Sequence, residues 1–288
     1  MSKYKAHTLM LLASLMWGVT FPISKFILGY MEPEHYSFIR YASATLILFI
    51  YLLFFKKESL KVNFKQIIFL MYTGVLCFYG YAFFEIKSMA YISPSVASLF
   101  LGLGPIAAIT IEVLLKRRKI DIRTILIIVL GLSGIYLIIG EELKFGGDLR
   151  GYIYMSLAMA SLMLYLFKAT GTTLNPLVTI AYQFLFATVF HTIGFLTVID
   201  VPFTIDITVV YAFIYLIIFS TIICYTLYFI SIRELGAGIV SVYDNLVFVI
   251  GFVSSALVFS SDMSMKIWIS FAIILISVGI SLTLETQK

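Results

Sequence analysis

Charge is what this chain has least of. Only 12% of its 288 residues are Asp, Glu, Lys or Arg, while 61% are hydrophobic; a soluble domain carries about 25% charged and about 45–50% apolar residues. So few charges cannot cover a water-facing surface of this size, which excludes a soluble globular protein and makes lipid the solvent for most of the exterior. Cysteine is nearly missing: Cys77 and Cys224 both sit inside apolar runs, which excludes a disulfide framework built from paired loop cysteines. There is no paired Cys/His metal spacing, no phosphate-cradling glycine loop with its lysine and no GxSxG elbow. Neither an enzyme nor a bound cofactor or metal is therefore expected.

What is present is a succession of apolar runs separated by short polar turns. A membrane-crossing helix needs roughly 20 mainly apolar residues, and that rule predicts an all-α, polytopic protein with helices near 6–28, 34–55, 66–88, 94–115, 123–140, 150–168, 176–198, 208–231, 237–259 and 266–284. The first run follows Lys3 and Lys5 but holds Trp17 and Pro22 and lacks a small-residue cleavage site, so it reads as a retained span. The net charge of +5 comes from basic residues flanking apolar runs, Lys116-Arg117-Arg118-Lys119 among them. Such clusters are topology signals, and no nucleic-acid partner is expected. With the N-terminus inside, the inner side collects Lys3, Lys5, Lys56, Lys57, Lys61, Lys65, the 116–119 run, Arg123, Lys168, Arg233 and Lys288, and the outer side only Lys87, Lys144, Arg150 and Lys266. Both termini are then cytoplasmic, in the cell membrane, which requires an even number of spans.

Sliding the sequence on itself exposes a repeat. One offset of 143 residues pairs Lys25 with Lys168, Pro33 with Pro176, Ala44-Thr45 with Ala187-Thr188, Ser88 with Ser231 and Ser98 with Ser241. The register predicts two five-span halves, 1–145 and 146–288. Five is odd, so the second half lies inverted relative to the first. Inverted repeats are a recurrent transporter design, because the halves can exchange conformations around a midplane site.

Several segments resemble a known family. Trp17-Gly18-Val19-Thr20-Phe21-Pro22 is similar to the opening of the ten-span EamA-type family of the drug/metabolite transporter superfamily. Arg40 early in the second span resembles it too, as do the stretch from Ser88 through Pro94 to Leu99 followed by Pro105, and Gly131-Leu132-Ser133-Gly134 in the fifth span. The chain departs from the family in its basic 116–119 run and in having no tryptophan–glycine pair in the sixth span. The resemblance implies secondary transport of small metabolites, often export of amino acids or related compounds, through a cavity lined by spans 1–4 and 6–9. It leaves sugar-phosphate exchange and a non-transporting sensor or assembly subunit as rival functions.

Candidate site residues follow from the cost of burying charge: about 2.5–3.5 kcal/mol at the bilayer centre, so intramembrane charges face a cavity or a partner. At 1.5 Å per residue, Arg40 lies roughly 10 Å inside span 2 and Asp244 about 12 Å inside span 9. Glu85 falls in the outer third of span 3. Arg40 and Glu85 could form an outer gate, or hold a substrate carboxylate and amine, or form a structural salt bridge; Lys25 and Lys87 could join them or snorkel to the interface. Asp244, with Asn245 beside it, has no charged counterpart at the offset position and suits a substrate amine or a coupling proton. Gln183 is the offset partner of Arg40. Trp17, Phe21, Tyr81 and Tyr243 are candidate cavity walls for an aromatic or cationic group. His191 is weighed as a proton relay against a packing residue, Glu112 as a partner of the basic run, and Pro22 and Pro105 as hinges or static kinks. The partners expected are a small-molecule substrate and the bilayer, with a coupling proton and a homodimer allowed for.

Overall fold

The computed structural model describes residues 3–55, 60–104, 106, 121–142, 148–168, 174–259 and 264–285. Among these it is helical, with no strand. Numbered in chain order, the helices are α1 (Lys3–Ile27), α2 (Pro33–Phe55), α3 (Phe64–Met89), α4 (Pro94–Leu101), α5 (Ile122–Glu142), α6 (Leu149–Lys168), α7 (Pro176–Leu196), α8 (Ile207–Leu235), α9 (Ala237–Val258) and α10 (Met265–Glu285). Six of them, α1, α2, α3, α5, α7 and α8, are long and apolar enough to cross a membrane. Pro105, Glu112, the 116–119 run, Lys144 and Gly146-Gly147 lie outside the described residues, as does the side chain of Lys168.

The helix starts are chemically marked. Asn63 and Gln66 form a reciprocal capping box ahead of α3. The side chains of Ser93, Asn175 and Asp206 accept from the N–H groups of Val96, Leu177 and Val209 at the starts of α4, α7 and α8. Pro94 and Pro176 stand in the first turn, where a missing N–H costs nothing. The first span is not one straight helix: it breaks at Val19. Pro22 has no N–H to offer the Gly18 carbonyl four residues back, and that oxygen accepts from Ser254 Oγ of α9 at 3.4 Å.

Packing follows the repeat. α2 packs on α7, α4 on α9 and α5 on α10, each helix on its own counterpart, while α1 packs on α8 and α3 on α6. Exchanging the halves maps this set onto itself. Along α2 and α7, Phe38 stacks on Phe195, Tyr41 on His191, and Phe49 packs edge-on against Tyr182. As one number rises the other falls, so the two helices run antiparallel. At their crossing Thr45 Oγ1 and Thr188 Oγ1, residues 143 apart, are hydrogen-bonded at 3.1 Å. A residue that touches its own counterpart sits on the axis relating the halves. α4 and α9 are antiparallel as well: Gly251 abuts Ser98, and Gly102 abuts Phe248.

Within this frame α3 and α8 each carry a stretch of π-helix, Val75–Tyr81 and Tyr215–Ile223. They occupy overlapping positions of the two repeats, since 75 plus 143 is 218. A π-turn widens the helix and frees backbone carbonyls, and it recurs at functional sites.

Candidate functional site

The site is built around Arg40 of α2, which is 7% exposed. Its Nε donates to Thr221 Oγ1 at 2.8 Å, Nη1 to the Tyr36 hydroxyl at 3.0 Å and Nη2 to Ser220 Oγ at 3.1 Å. Ser220 and Thr221 both belong to the π-stretch of α8. The same stretch anchors α1: the Trp17 indole N–H donates to the Ser220 carbonyl at 2.8 Å, and Thr20 Oγ1 shares a hydrogen bond with Ser220 Oγ at 2.8 Å. The guanidinium is thus fixed by three neutral hydroxyls. No carboxylate lies within ion-pair distance of it among the described residues. A guanidinium carries five N–H donors in a planar fork, so two remain for something else.

Arg40 borders a cavity of about 240 Å³ in the middle of the bundle, walled by α1, α2, α3, α4, α6, α8 and α9. Two carboxylates share it with Arg40: Glu85, which accepts a hydrogen bond from the Tyr81 hydroxyl, and Asp244. Neither forms an ion pair among the described residues. The walls include seven aromatic residues, Trp17, Phe21, Tyr41 and Tyr81 from the first repeat and Tyr165, Tyr225 and Tyr228 from the second. Trp17 meets Tyr225 edge-on, ring centroids 4.9 Å apart, and Tyr228 at 5.5 Å. Among the described residues no three His, Cys, Asp or Glu side chains converge as a metal site would require. Chemically, the cavity can accept an anion at Arg40, cations at Glu85 and Asp244, and apolar or ring surface between them.

Trp17, Phe21, Arg40, Tyr81, Glu85, Asp244 and Asn245 therefore line one cavity. Gln183 and Tyr243 do not. Gln183 points from α7 to α3, where Nε2 donates to Thr73 Oγ1 at 2.8 Å and Oε1 is buried without a partner. Tyr243 is turned away by the rotation of about 100° per residue that separates it from Asp244. Its hydroxyl meets His7 Nδ1 at 2.7 Å and its carbonyl accepts from Ser14 Oγ at 3.0 Å, tying α9 to α1. Nor do Arg40 and Glu85 close on each other as an ion-paired gate. Lys25 misses the cavity and donates to the carbonyls of Met89 and Ile92 at the end of α3, where a cation complements the helix dipole. Lys87 pairs with Glu34 of α2.

His191 packs rather than relays. It stacks on Tyr41 at 4.9 Å, and its Nε2 meets the Phe78 carbonyl, in the π-stretch of α3, at 2.8 Å. His191→Leu removes this hydrogen bond and is expected to lower stability by about 1–3 kcal/mol. His191→Gln can restore the bond and should melt close to the parent. Thermal melts of the two variants in detergent check this.

Sequence reasoning missed Ser220 and Thr221, the hydroxyls that hold Arg40. Their signal was there: two adjacent polar residues in mid-run, between Ile217-Ile218-Phe219 and Ile222-Ile223. It missed the Tyr41, Tyr165 and Tyr225 walls as well, because 19 tyrosines spread along the chain give no contrast.

Comparison with known proteins agrees with this architecture. The chain is 25% identical to the uncharacterized transporter YyaM of Bacillus subtilis (strain 168) over 294 residues, covering 97% of this chain and 93% of that one. A solved structure titled "Crystal structure of protein" superposes with a TM-score of 0.63 at 16% identity, covering 99% of both chains, a likeness of fold alone. The EamA-like transporter family matches the chain twice, over residues 4–140 and 149–283, once for each repeat. With that double match over a multi-helix membrane bundle, the chain belongs to the EamA-like transporter family of the drug/metabolite transporter superfamily.

Proposed function

We propose that this protein is a ten-span secondary transporter of amino acids or related amines, with its halves, 1–145 and 146–288, inverted across the cytoplasmic membrane and both termini inside. Alternating access then consists of the halves exchanging conformations around the central cavity. Export is the direction we favour on family grounds, with a proton at Glu85 or Asp244 as the coupling ion.

One observation carries this reading: a guanidinium and two carboxylates, none of them ion-paired among the described residues, face the same cavity. Unpaired intramembrane charges are expensive, and a zwitterion with an ammonium and a carboxylate supplies partners for the guanidinium and one of the carboxylates. A sugar-phosphate substrate would need several cations around its phosphate. Here Arg40 is the one basic residue of the cavity wall among the described residues, and Lys25 is engaged at the end of α3. The test is counterflow in proteoliposomes, with labelled amino acids set against sugar phosphates. Exchange of amino acids alone is expected; exchange confined to sugar phosphates would overturn the assignment, and an absence of any flux would favour a sensor or assembly role.

A further inference from the structure

The cavity is one positive charge short. Arg40 contributes one, and Glu85 and Asp244, with both carboxyls ionised, take away two. A neutral zwitterion satisfies Arg40 and one carboxylate and leaves the other desolvated and unpartnered, the arrangement that costs most in a low-dielectric interior.

Asp244 stands apart from the other two charges. Arg40 interacts electrostatically with Tyr36, Tyr41, Tyr225 and Glu85; Asp244 interacts with Tyr165 and Tyr228. Their helices explain the separation. Glu85 lies one turn before the end of α3 at Met89, and α4 starts from that same end of the bundle at Pro94. Because α9 runs antiparallel to α4, its first residues lie at the opposite end, and Asp244 is reached from there, roughly 10 Å in along α9. The cavity thus has a mixed-charge end and an acidic end, with rings between them. At the acidic end Tyr228 packs on Trp17, so a cation beside Asp244 also meets ring faces, which attract it further.

We propose that Asp244, with Tyr165, Tyr228 and Trp17, forms a subsite for a second, side-chain cation, so that the preferred substrate is a basic α-amino acid such as lysine, ornithine or arginine. Its α-carboxylate lies against the free edge of Arg40, its α-ammonium against Glu85, and its distal cation against Asp244. The substrate's net charge of +1 then balances the cavity's −1. This rests on the amino-acid reading above and narrows it.

The test compares L-lysine with L-norleucine, which has the same straight carbon chain without the terminal ammonium, by calorimetric titration of the purified protein and of Asp244→Asn. Lysine is expected to bind the parent at least about tenfold more tightly than norleucine, and the lysine-to-norleucine ratio to fall to near one in Asp244→Asn. Asp244→Ser, carried alongside with a thermal melt of each variant, guards against a misfolded asparagine variant and should lose the same preference. Equal binding of the two amino acids by the parent would overturn the distal-cation subsite while leaving the amino-acid reading intact. So would a preference that survives in both variants. If neither amino acid binds the parent, the amino-acid reading falls and the subsite with it. A norleucine affinity equal to that of lysine, whose pH dependence disappears in Asp244→Asn, would make Asp244 a proton site and would also overturn the proposal.

Discussion

Arg40→Gln is expected to weaken substrate binding by about 100-fold or more while leaving the protein at least as stable as the parent. The two effects diverge because of what Arg40 touches. Inserting an arginine at mid-membrane costs about 2.5–3.5 kcal/mol, and its partners are the hydroxyls of Tyr36, Ser220 and Thr221, with no carboxylate to repay the desolvation. Glutamine removes that cost, and two of the three hydroxyls keep other partners: Tyr36 retains Ser24 at 2.7 Å, and Ser220 retains Thr20. Binding behaves oppositely. Two hydrogen bonds from a guanidinium to a carboxylate contribute about 1.5–3 kcal/mol each, so losing both costs at least about 3 kcal/mol, or two decades in Kd. Arg40→Lys keeps the charge but not the fork, and should fall between the two. Titration with substrate and a thermal melt of the same preparations decide the matter. A glutamine variant that binds within threefold of the parent would remove Arg40 from the site; one that unfolds would make it structural.

The same cost of buried charge explains what could be read from the residues directly. Arg40, Glu85 and Asp244 stood out because lipid tolerates so few such groups, and all three face one cavity. Helix ends were legible where turn chemistry marks them: the expected starts at 34, 176 and 208 fall within a residue of Pro33, Pro176 and Ile207, beside the prolines and the Asp206 cap. Helix interiors were less so. Nothing in Val75–Tyr81 or Tyr215–Ile223 distinguishes a π-turn from an α-turn locally, because the freed carbonyls are satisfied from elsewhere, by His191 at Phe78 and by Trp17 at Ser220. Gln183 shows the limit of symmetry reasoning. It occupies the position of Arg40 in the second repeat and points to the equivalent neighbour, α3 in place of α8, but α7 contributes no wall to the cavity. Matching position did not carry matching function, because the cavity wall takes α2 from the first repeat without α7 from the second.

α3 approaches α7 backbone to backbone at Gly74, which makes that position a sensitive one for the fold. A Cβ placed there would stand 2.6 Å from the Gln183 carbonyl oxygen and 2.7 Å from its Cα. Both are backbone atoms and neither can rotate aside, so in Gly74→Ala the helices must separate. Membrane helices gain little from hydrophobic burial against one another and associate through close packing, which is why small residues mark their contacts. Overpacking costs about 1–3 kcal/mol. It would also displace the π-stretch that begins at Val75, and with it Tyr81 and Glu85 at the cavity, so binding should fall together with the melting temperature. Gly279→Ala is the matched control: it lies within α10 and is exposed, and nothing stands within 4 Å of the added methyl. There alanine's better helix propensity, up to about 1 kcal/mol, should make the change neutral or stabilising. Thermal melts of the two variants in one detergent should therefore move in opposite directions or, at the least, far apart. A Gly74→Ala protein that melts with the parent would show that α3 and α7 are not held backbone to backbone, and the placement of Tyr81 and Glu85 would then need another cause.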